Sequence, residues 1–315
     1  MTTKVVFQLP NIGTFFENIA VSADGSLLTT RVDAPEVWRI DPKTGEGSLL
    51  LTLPAPLRSA TGIAELAPSV FALGAGIYDM TPEGGGPVPG SMEFWTFEFI
   101  TPGDPVQAQS TLRRVCAVPE AVLLNGLCKW DDTTAIGVDS GRGTVYKVDI
   151  VSGTCETILQ DDLTAPSADF PVPIGINGIK RFRGHLYFTN SSRMSLYRVP
   201  VDQRTARPTG PVELVASGFA CDDFAVSEDG ISAYVATHAT HMVVRVALDP
   251  AVAMTEGAVT VAGSPDSLDL GGSTSCAFGR GETDRRTLYV TTSGALSFPV
   301  GGTMVEPAKV AAVEV

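Results

Sequence analysis

Six oxygen-bearing side chains recur along this chain of 315 residues, each two positions before an apolar residue in a repeated motif. They are Glu17, Thr61, Asn125, Asn177, Asp222 and Ser275. Two carboxylates and two carboxamides brought together would form a hard-oxygen donor set that suits Ca²⁺ or Mg²⁺. Because burying such groups without partners is costly, the pattern predicts either a divalent ion or a water-filled polar channel where they meet.

Other reactive side chains give weaker signals. Zinc would require His or Cys ligands, and the chain has only 3 histidines and 5 scattered cysteines without a CxxC pair. His238 and His241 could form a zinc pair, or they could be a strand end and an outward side chain. The sequence has no GxSxG motif and no Cys–His spacing typical of a covalent nucleophile. We therefore expect free thiols and no organic cofactor.

The polar positions belong to six similar segments, among them ENIAVSADGSLLTT and NGIKRFRGHLYFTNSS. Each segment has a polar residue, a nearby apolar residue, a turn with Asp, Gly or Pro, and then an apolar strand, which is typical of a β-hairpin. The repeats average about 52 residues when aligned on Ile19, Ile63, Leu127, Ile179, Phe224 and Ala277, and this is the period of a propeller blade.

The repeats predict an all-β fold, a six-bladed β-propeller with four antiparallel strands per blade and a single domain over residues 1–315. We expect the N-terminal KVVFQLP to pair with the C-terminal AKVAAVEV and close the last blade. Radial closure protects the sheet edges, whereas an open solenoid or a two-domain β protein would leave more of them exposed. We expect the long insertion between the second and third repeats to form loops over one face.

Composition limits the possible partners. The formal net charge is −13, so phosphate backbones and anionic lipids would repel the chain. We expect small-molecule substrates, no nucleic acid or membrane partner, and a monomer or weak dimer. No signal peptide and no apolar run of transmembrane length is visible, and with unpatterned cysteines this predicts a cytoplasmic protein.

The motifs ENIAVSADGSLL, NGLCKWDD and CDDFAVSEDG resemble the blades of the regucalcin/gluconolactonase family of six-bladed propellers and, more distantly, those of strictosidine-synthase-like proteins. The resemblance implies a divalent ion held by Glu17, Asn177 and Asp222, with Asn125 beside the substrate. It also implies that Asp222 acts as a general base in a lactonase. Two departures stand out: the usual Glu-Gly-Pro is Glu17-Asn18-Ile19 here, and Asp223 replaces a glycine.

These departures, together with TGIAELAPSVFALG, LYFTNS and VATH, resemble a fungal branch of the fold associated with secondary-metabolite clusters. That branch includes hetero-Diels–Alderases that join a tropolone quinone methide to a sesquiterpene such as humulene. The resemblance implies a cycloaddition enzyme of this kind. A divalent-metal-dependent lactonase or esterase-type hydrolase and a non-catalytic binding propeller are the alternatives.

A cycloaddition enzyme needs an apolar mouth above a polar floor. Aromatic candidates for substrate binding near the inner strands are Phe16, Tyr78, Trp95 and Phe219, with Phe15 and Met80 beside them, although each could instead pack within a blade. Asp139, Asn190 and His238 follow second strands and are expected above the polar floor, where His238 could hydrogen-bond a substrate oxygen or relay a proton. Glu65 is a further catalytic candidate or a structural contact in the second blade.

Overall fold

The computed structural model describes residues 3–80, 85–99, 110–168 and 173–315. Parts of the insertion between the second and third repeats, at 81–84 and 100–109, lie outside the described residues, so the expectation that they form loops over one face is untested. Strands account for most of the regular structure, and none of the described helices is long and apolar enough to cross a membrane.

Six four-stranded antiparallel sheets form the blades of a six-bladed propeller, as predicted. The chain starts with β1 (Thr3–Gln8), which belongs to the last blade. Blade 1 contains β2 (Phe16–Val21), β3 (Leu27–Arg31), β4 (Glu36–Ile40) and β5 (Gly47–Thr52). Blade 2 begins with β6 (Ser59–Ala67) and β7 (Val70–Gly76), then has a two-strand hairpin of β8 (Tyr78–Asp79) and β9 (Gly86–Pro87), and ends with β10 (Glu93–Phe99) and β11 (Ser110–Ala117).

The remaining blades follow in chain order. Blade 3 contains β12 (Leu124–Lys129), β13 (Thr134–Asp139), β14 (Thr144–Asp149) and β15 (Cys155–Gln160). Blade 4 contains β16 (Ile176–Phe182), β17 (His185–Asn190), β18 (Ser195–Pro200) and β19 (Glu213–Ser217). Blade 5 contains β20 (Phe224–Val226), β21 (Ser232–Ala236), a 3₁₀ turn (His238–Thr240), β22 (Met242–Ala247), α1 (Pro250–Glu256) and β23 (Val259–Gly263). Blade 6 contains β24 (Ser273–Phe278), β25 (Thr287–Thr292) and β26 (Lys309–Glu314).

The ring is closed by the predicted pairing of the chain termini. Strand β1 pairs antiparallel with β26, from Thr3 opposite Val313 to Gln8 opposite Lys309. The inner strands contact one another in sequence around the axis, and β24 of blade 6 contacts β2 of blade 1. Pairing of the first and last strands removes two free sheet edges, which explains why strand-like sequence occurs at both ends.

Apolar side chains fill the space between neighbouring blades. In blade 2 the Phe71 and Phe97 rings stack with centroids 5.0 Å apart, and in blade 4 Phe188 and Tyr197 stack at 5.5 Å. Each fully buried ring contributes about 2–3 kcal/mol through removal of apolar surface from water. These contacts hold the inner strands at fixed positions around the axis and so support the polar site between them.

Candidate functional site

The principal cavity among the described residues opens at one end of the propeller axis and has a volume of about 600 Å³. Its polar floor contains five of the six side chains that the repeat alignment would place there: Glu17, Thr61, Asn125, Asn177 and Asp222. The wall above is mainly apolar and includes the candidates Phe15, Tyr78 and Met80. The cavity therefore combines a polar base with an apolar mouth.

Bulges in the inner strands place the floor residues. In blade 4 the register shifts between Ile176 and Ile179, so Asn177 and Gly178 together oppose one residue of β17. Equivalent shifts occur between Phe16 and Ile19, and between Leu124 and Leu127. A bulge of this kind redirects a side chain out of the usual alternation. In these three blades it accounts for the floor position of the polar residue that lies two positions before the aligned apolar residue.

Glycine follows the floor residue in blades 2, 3 and 4 because the next inner strand approaches closely there. A Cβ atom on Gly178 would lie 2.2 Å from Asp223 Oδ1 and 2.7 Å from Asp223 Cα. A Cβ on Gly126 would lie 2.4 Å from the carbonyl oxygen of Asn177. Real Cβ atoms do not approach other atoms this closely, so the Thr-Gly and Asn-Gly pairs of the repeats are a packing requirement of the axis.

The sixth floor position needs a correction, because the repeat alignment assigned it to Ser275. Cys276 pairs with Val290 as Ile19 pairs with Thr29, so Thr274 is the equivalent of Glu17. Cys276, and not Ala277, is therefore the apolar residue equivalent to Ile19. Ser275 lies one layer below the floor.

Three floor oxygens are buried and have no hydrogen-bond partner among the described residues. They are Thr61 Oγ1, Asn125 Oδ1 and Asn177 Oδ1. The amide of Asn177 is oriented by its nitrogen, which donates to Ser191 Oγ at 3.0 Å, and Ser191 in turn donates to the carbonyl of Cys221 at 2.7 Å. Buried acceptors without donors are uncommon, so these oxygens are suited to meet a ligand, an ion or water.

The floor carboxylates lie close enough to perturb each other. Burial raises the pKa of Glu17 well above its ordinary value, and repulsion from Asp222 and Asp223 adds to the effect. Burial also raises the pKa of Asp222, although hydrogen bonding and attraction by His238 oppose it. The floor therefore favours a shared proton or a bound cation over two free negative charges.

A buried ionic layer lies directly beneath the floor. Asp223, 1% exposed, accepts a hydrogen bond from Lys180 Nζ at 2.7 Å and another from the Phe224 amide at 2.7 Å. The Ser275 hydroxyl lies 3.4 Å from Asp223 Oδ2 and 3.3 Å from Asn18 Oδ1. Lys180 thus neutralises one of the three carboxylates near the axis. Asn18, Asp223 and Ser275 occupy, in blades 1, 5 and 6, the position that glycine fills in blades 2 to 4.

Both ring nitrogens of His238 are engaged within the protein. Nδ1 lies 3.3 Å from Asp222 Oδ2, and Nε2 lies 3.3 Å from the hydroxyl of Ser293. The ring is also edge-on to Phe15 and Phe298, with centroids 5.6 and 5.4 Å away. A direct hydrogen bond from His238 to a substrate oxygen would have to replace one of these contacts. Ser293 itself is fully buried and does not line the cavity.

Three predicted aromatic contacts lie elsewhere. Phe16 is fully buried and packs against Phe7, because alternation along β2 directs it away from the face that carries Phe15. Trp95 lies in β10, away from the axis, and its indole nitrogen donates to Glu93 Oε2 at 2.8 Å. Phe219 is buried in the apolar cluster of blades 4 and 5. None of these three side chains lines the cavity.

Three predicted polar contacts are structural as well. Glu65 accepts hydrogen bonds from the amides of Ala23 and Ser69 and pairs with Arg280, outside the cavity. Asp139 accepts hydrogen bonds from the backbone amides of Val122 and Leu123, just before β12, at 3.0 and 2.9 Å.

Asn190 donates to the carbonyls of Leu163 and Ala165, both at 2.9 Å. Like Asp139, it ends a second strand and satisfies backbone groups of the connection beside it. The expectation that these two residues lie above the polar floor as substrate contacts is therefore wrong, since neither lines the cavity.

Several residues of the wall carry no repeat signal in the sequence. Phe298 lies in the connection between β25 and β26, outside the repeats, and no periodic signal marked it. Leu123, Ile174 and Met194 also line the cavity from loops next to inner or second strands. A search of the residues just before each floor position would have found Leu123, which precedes Asn125 by two positions as Phe15 precedes Glu17.

A metal centre built from His, Cys, Asp and Glu alone is absent from the described ranges, where no group of three such side chains converges. The five cysteines are free, in line with the expectation of thiols. His241, the other half of the considered zinc pair, accepts a hydrogen bond from the amide of Gly272 at 2.9 Å. A cation at the floor would therefore need amide oxygens as well as carboxylates, and the predicted set of two carboxylates and two carboxamides contains both.

Two curated proteins are similar in sequence to this chain over most of its length. A protein named "Putative hetero-Diels-Alderase" from Phoma sp is 28% identical over 316 residues, which cover 92% of this chain and 86% of that protein. The chain resembles the hetero-Diels–Alderase-type propellers. A second protein with that description, from Sarocladium schorii, is 27% identical and is matched over 92% of this chain and 78% of its own length. No family model matches the chain.

Solved structures confirm the fold at low sequence identity. A luciferin-regenerating enzyme superposes with a TM-score of 0.67 at 13% identity, covering 100% of this chain and 95% of that one. A regucalcin from Agrobacterium tumefaciens, described as a calcium-binding protein, superposes with a TM-score of 0.61 at 16% identity, covering 100% and 94% of the two chains. The resemblance to the regucalcin-like propellers is therefore confirmed at the level of architecture.

Proposed function

We propose that this protein is a fungal secondary-metabolism enzyme that catalyses a hetero-Diels–Alder cycloaddition between a tropolone o-quinone methide and a sesquiterpene such as humulene. The similarity to two proteins named as hetero-Diels–Alderases supports the reaction class. The observation that carries the proposal is the apolar wall above a compact polar floor in one cavity of about 600 Å³, a volume within the usual range for small-molecule sites.

The reaction needs few chemical groups from the protein. The oxygen and the terminal carbon of the heterodiene each form a bond to one alkene carbon, the π electrons shift, and no proton or leaving group is exchanged. Catalysis then consists of holding two partners in reacting geometry, which can replace a large translational and rotational entropy cost. The apolar wall excludes water from the reactive methide.

Tyr78 is the phenol among the cavity-lining residues, and we assign to it the stabilisation of the heterodiene oxygen. It lines the cavity, and its pKa is raised by burial and by the negative charge of Glu17. A tyrosine phenol is protonated at neutral pH and can donate a hydrogen bond to the oxygen as electron density builds there. The amide side chains of Asn125 and Asn177 lie on the floor of the same cavity, beneath the two substrates.

A metal-dependent lactonase or esterase-type hydrolase is the second candidate, favoured by the donor set of the floor. Glu17, Asn177 and Asp222 would hold Ca²⁺ or Mg²⁺, and the unpartnered oxygens of Asn125 and Asn177 fit that assignment. When bound, such an ion would polarise a substrate carbonyl. Asp222 would then take the proton of the attacking water, and it is fixed for that role by its contact with His238.

The surroundings support small-molecule substrates. A net charge of −13 disfavours nucleic acid and anionic membranes, and free cysteines support a reducing compartment such as the cytoplasm. We propose a monomer or weak dimer, because the residues of one chain suffice to line the cavity.

The test is incubation of the protein with a quinone-methide precursor and humulene, followed by stereochemical analysis of the adduct. We expect one enantiomer in excess, reduced by Tyr78→Phe and retained in part after EDTA treatment. Asp131→Asn, in an exposed turn, is the control variant. A racemic adduct identical to that formed without protein would overturn the proposal. Lactone hydrolysis that is abolished by EDTA and by Glu17→Gln would establish the second candidate, and no conversion in either assay would favour a binding propeller.

A further inference from the structure

The wall of the cavity differs in chemistry from one side to the other. Blades 1 to 6 follow one another around the axis, so blades 5, 6 and 1 form one continuous side, and blades 3 and 4 form the opposite side. We define the aromatic sector as Phe15 of blade 1, His238 of blade 5 and Phe298 of blade 6. The aliphatic sector comprises Leu123 before blade 3, with Ile174 and Met194 of blade 4.

The aromatic sector is preorganised around one ring. The His238 ring is perpendicular to both Phe15 and Phe298, with interplanar angles of 89° in each pair. Phe298 is 42% exposed, so much of its ring is free to contact a ligand. Both floor carboxylates, Glu17 and Asp222, belong to this same side of the ring. A flat conjugated ligand can stack here and direct its oxygens toward groups that donate or share protons.

The aliphatic sector offers no ionisable side chain to the cavity within the described part of blades 3 and 4. Its floor consists of the neutral amides Asn125 and Asn177. Met194 is 36% exposed and, being unbranched, adapts to the irregular surface of a flexible hydrocarbon. A hydrocarbon would leave polar atoms without partners on either side: the unpartnered oxygens of Asn125 and Asn177 here, and the Asp222–His238 pair on the other side. Covering neutral amides costs less than desolvating a carboxylate, so the aliphatic sector suits a ligand without polar atoms better.

We propose that the two sectors are separate subsites, the aromatic sector for the planar, oxygen-bearing heterodiene and the aliphatic sector for the hydrocarbon alkene. This assignment rests on the proposed cycloaddition for the identity of the ligands. It makes a claim about equilibrium binding that does not depend on turnover. The bond-forming atoms then meet over the centre of the floor, between the two sides.

The test measures binding of each partner alone to the full-length protein. Tropolone is titrated by calorimetry, and humulene is quantified by equilibrium dialysis with gas chromatography. Phe298→Ala and Met194→Ala are matched truncations of two partly exposed wall residues, 42% and 36% exposed. Phe298→Leu keeps bulk but removes the ring. Thermal unfolding of each variant verifies that it is folded.

We expect Phe298→Ala and Phe298→Leu to weaken tropolone binding about three- to tenfold, the range of one aromatic contact, and to change humulene binding less than twofold. Met194→Ala should weaken humulene binding by about fivefold or more and leave tropolone binding within twofold. Equal effects of both truncations on both ligands, the reverse pattern, or no binding of either ligand to the wild-type protein would overturn the assignment. If binding divides as expected while the adduct stays racemic, the subsites stand and the proposed reaction fails.

Discussion

Replacing Lys180 by Met tests the ionic layer beneath the cavity floor. Methionine keeps the apolar stem of the lysine but removes the charge that lies 2.7 Å from Asp223 Oδ1. Asp223 would then be left 1% exposed, with the Phe224 amide as its closest remaining donor and with Glu17 and Asp222 nearby. An uncompensated buried carboxylate is strongly destabilising.

The magnitude follows from burial of the pair. Removing one partner of a fully buried ion pair costs about 3–5 kcal/mol. Because 25% of the Lys180 side chain is exposed, we take the lower end, about 3 kcal/mol. At an unfolding entropy of about 2.1 cal/mol/K per residue, the 315-residue chain should lose about 4–5 °C in Tm.

Asp223→Asn should cost much less, about 1 kcal/mol, since an amide oxygen can still accept from the Phe224 amide and Lys180 can reach solvent. In the Asp223→Asn background, Lys180→Met should cost only about 1 kcal/mol, which gives a coupling energy of about 2 kcal/mol. Urea unfolding of the four proteins at one pH, in EDTA, measures the cycle. Equal costs of Lys180→Met in both backgrounds, within about 0.5 kcal/mol, would refute the reasoning.

Two further predictions concern the floor and the axis. In EDTA, Glu17→Gln should leave Tm nearly unchanged at acidic pH and raise it increasingly at higher pH. The raised pKa of Glu17 means that its stabilising contribution is lost as the pH rises through the folded-state value, so a Tm difference independent of pH would contradict this. Gly178→Ala should strongly destabilise the protein, because its Cβ would lie 2.7 Å from Asp223 Cα. Gly13→Ala should cost less, because its Cβ would meet no atom within 4 Å and only the left-handed backbone (φ 87°) opposes the change. Calorimetry that ranks the two variants the other way would disprove the packing argument.

The repeats predicted the architecture and five residues of the cavity floor. Glu17, Thr61, Asn125, Asn177 and Asp222 occupy the same step of a hairpin that recurs around one axis, and they line one cavity. A closed ring of similar blades directs equivalent positions to the same place. The single error of register, Ser275 for Thr274, arose where the motif of blade 6 is least like the others.

The wall could not be predicted in the same way. Phe15 and Phe16 are adjacent and chemically identical, yet one lines the cavity and the other packs in the core, because strand direction and the nearby bulge decide which face each one meets. Asp139 and Asn190 were expected above the polar floor, but their polar atoms hydrogen-bond to backbone amides and carbonyls beside them. Phe298 comes from a connection that follows no repeat.

The sequence pattern was therefore sufficient to predict the features that depend on a local period: the hairpins, the number of blades, and the polar residue at the start of five of the six inner strands. Three other features depend on contacts formed in the folded chain: the pairing of Lys180 with Asp223, the contacts of both His238 ring nitrogens, and the division of the wall into an aromatic and an aliphatic side. Those features join residues from different blades. Their contacts depend on how the blades pack around the axis, and no spacing along the chain encodes that distance.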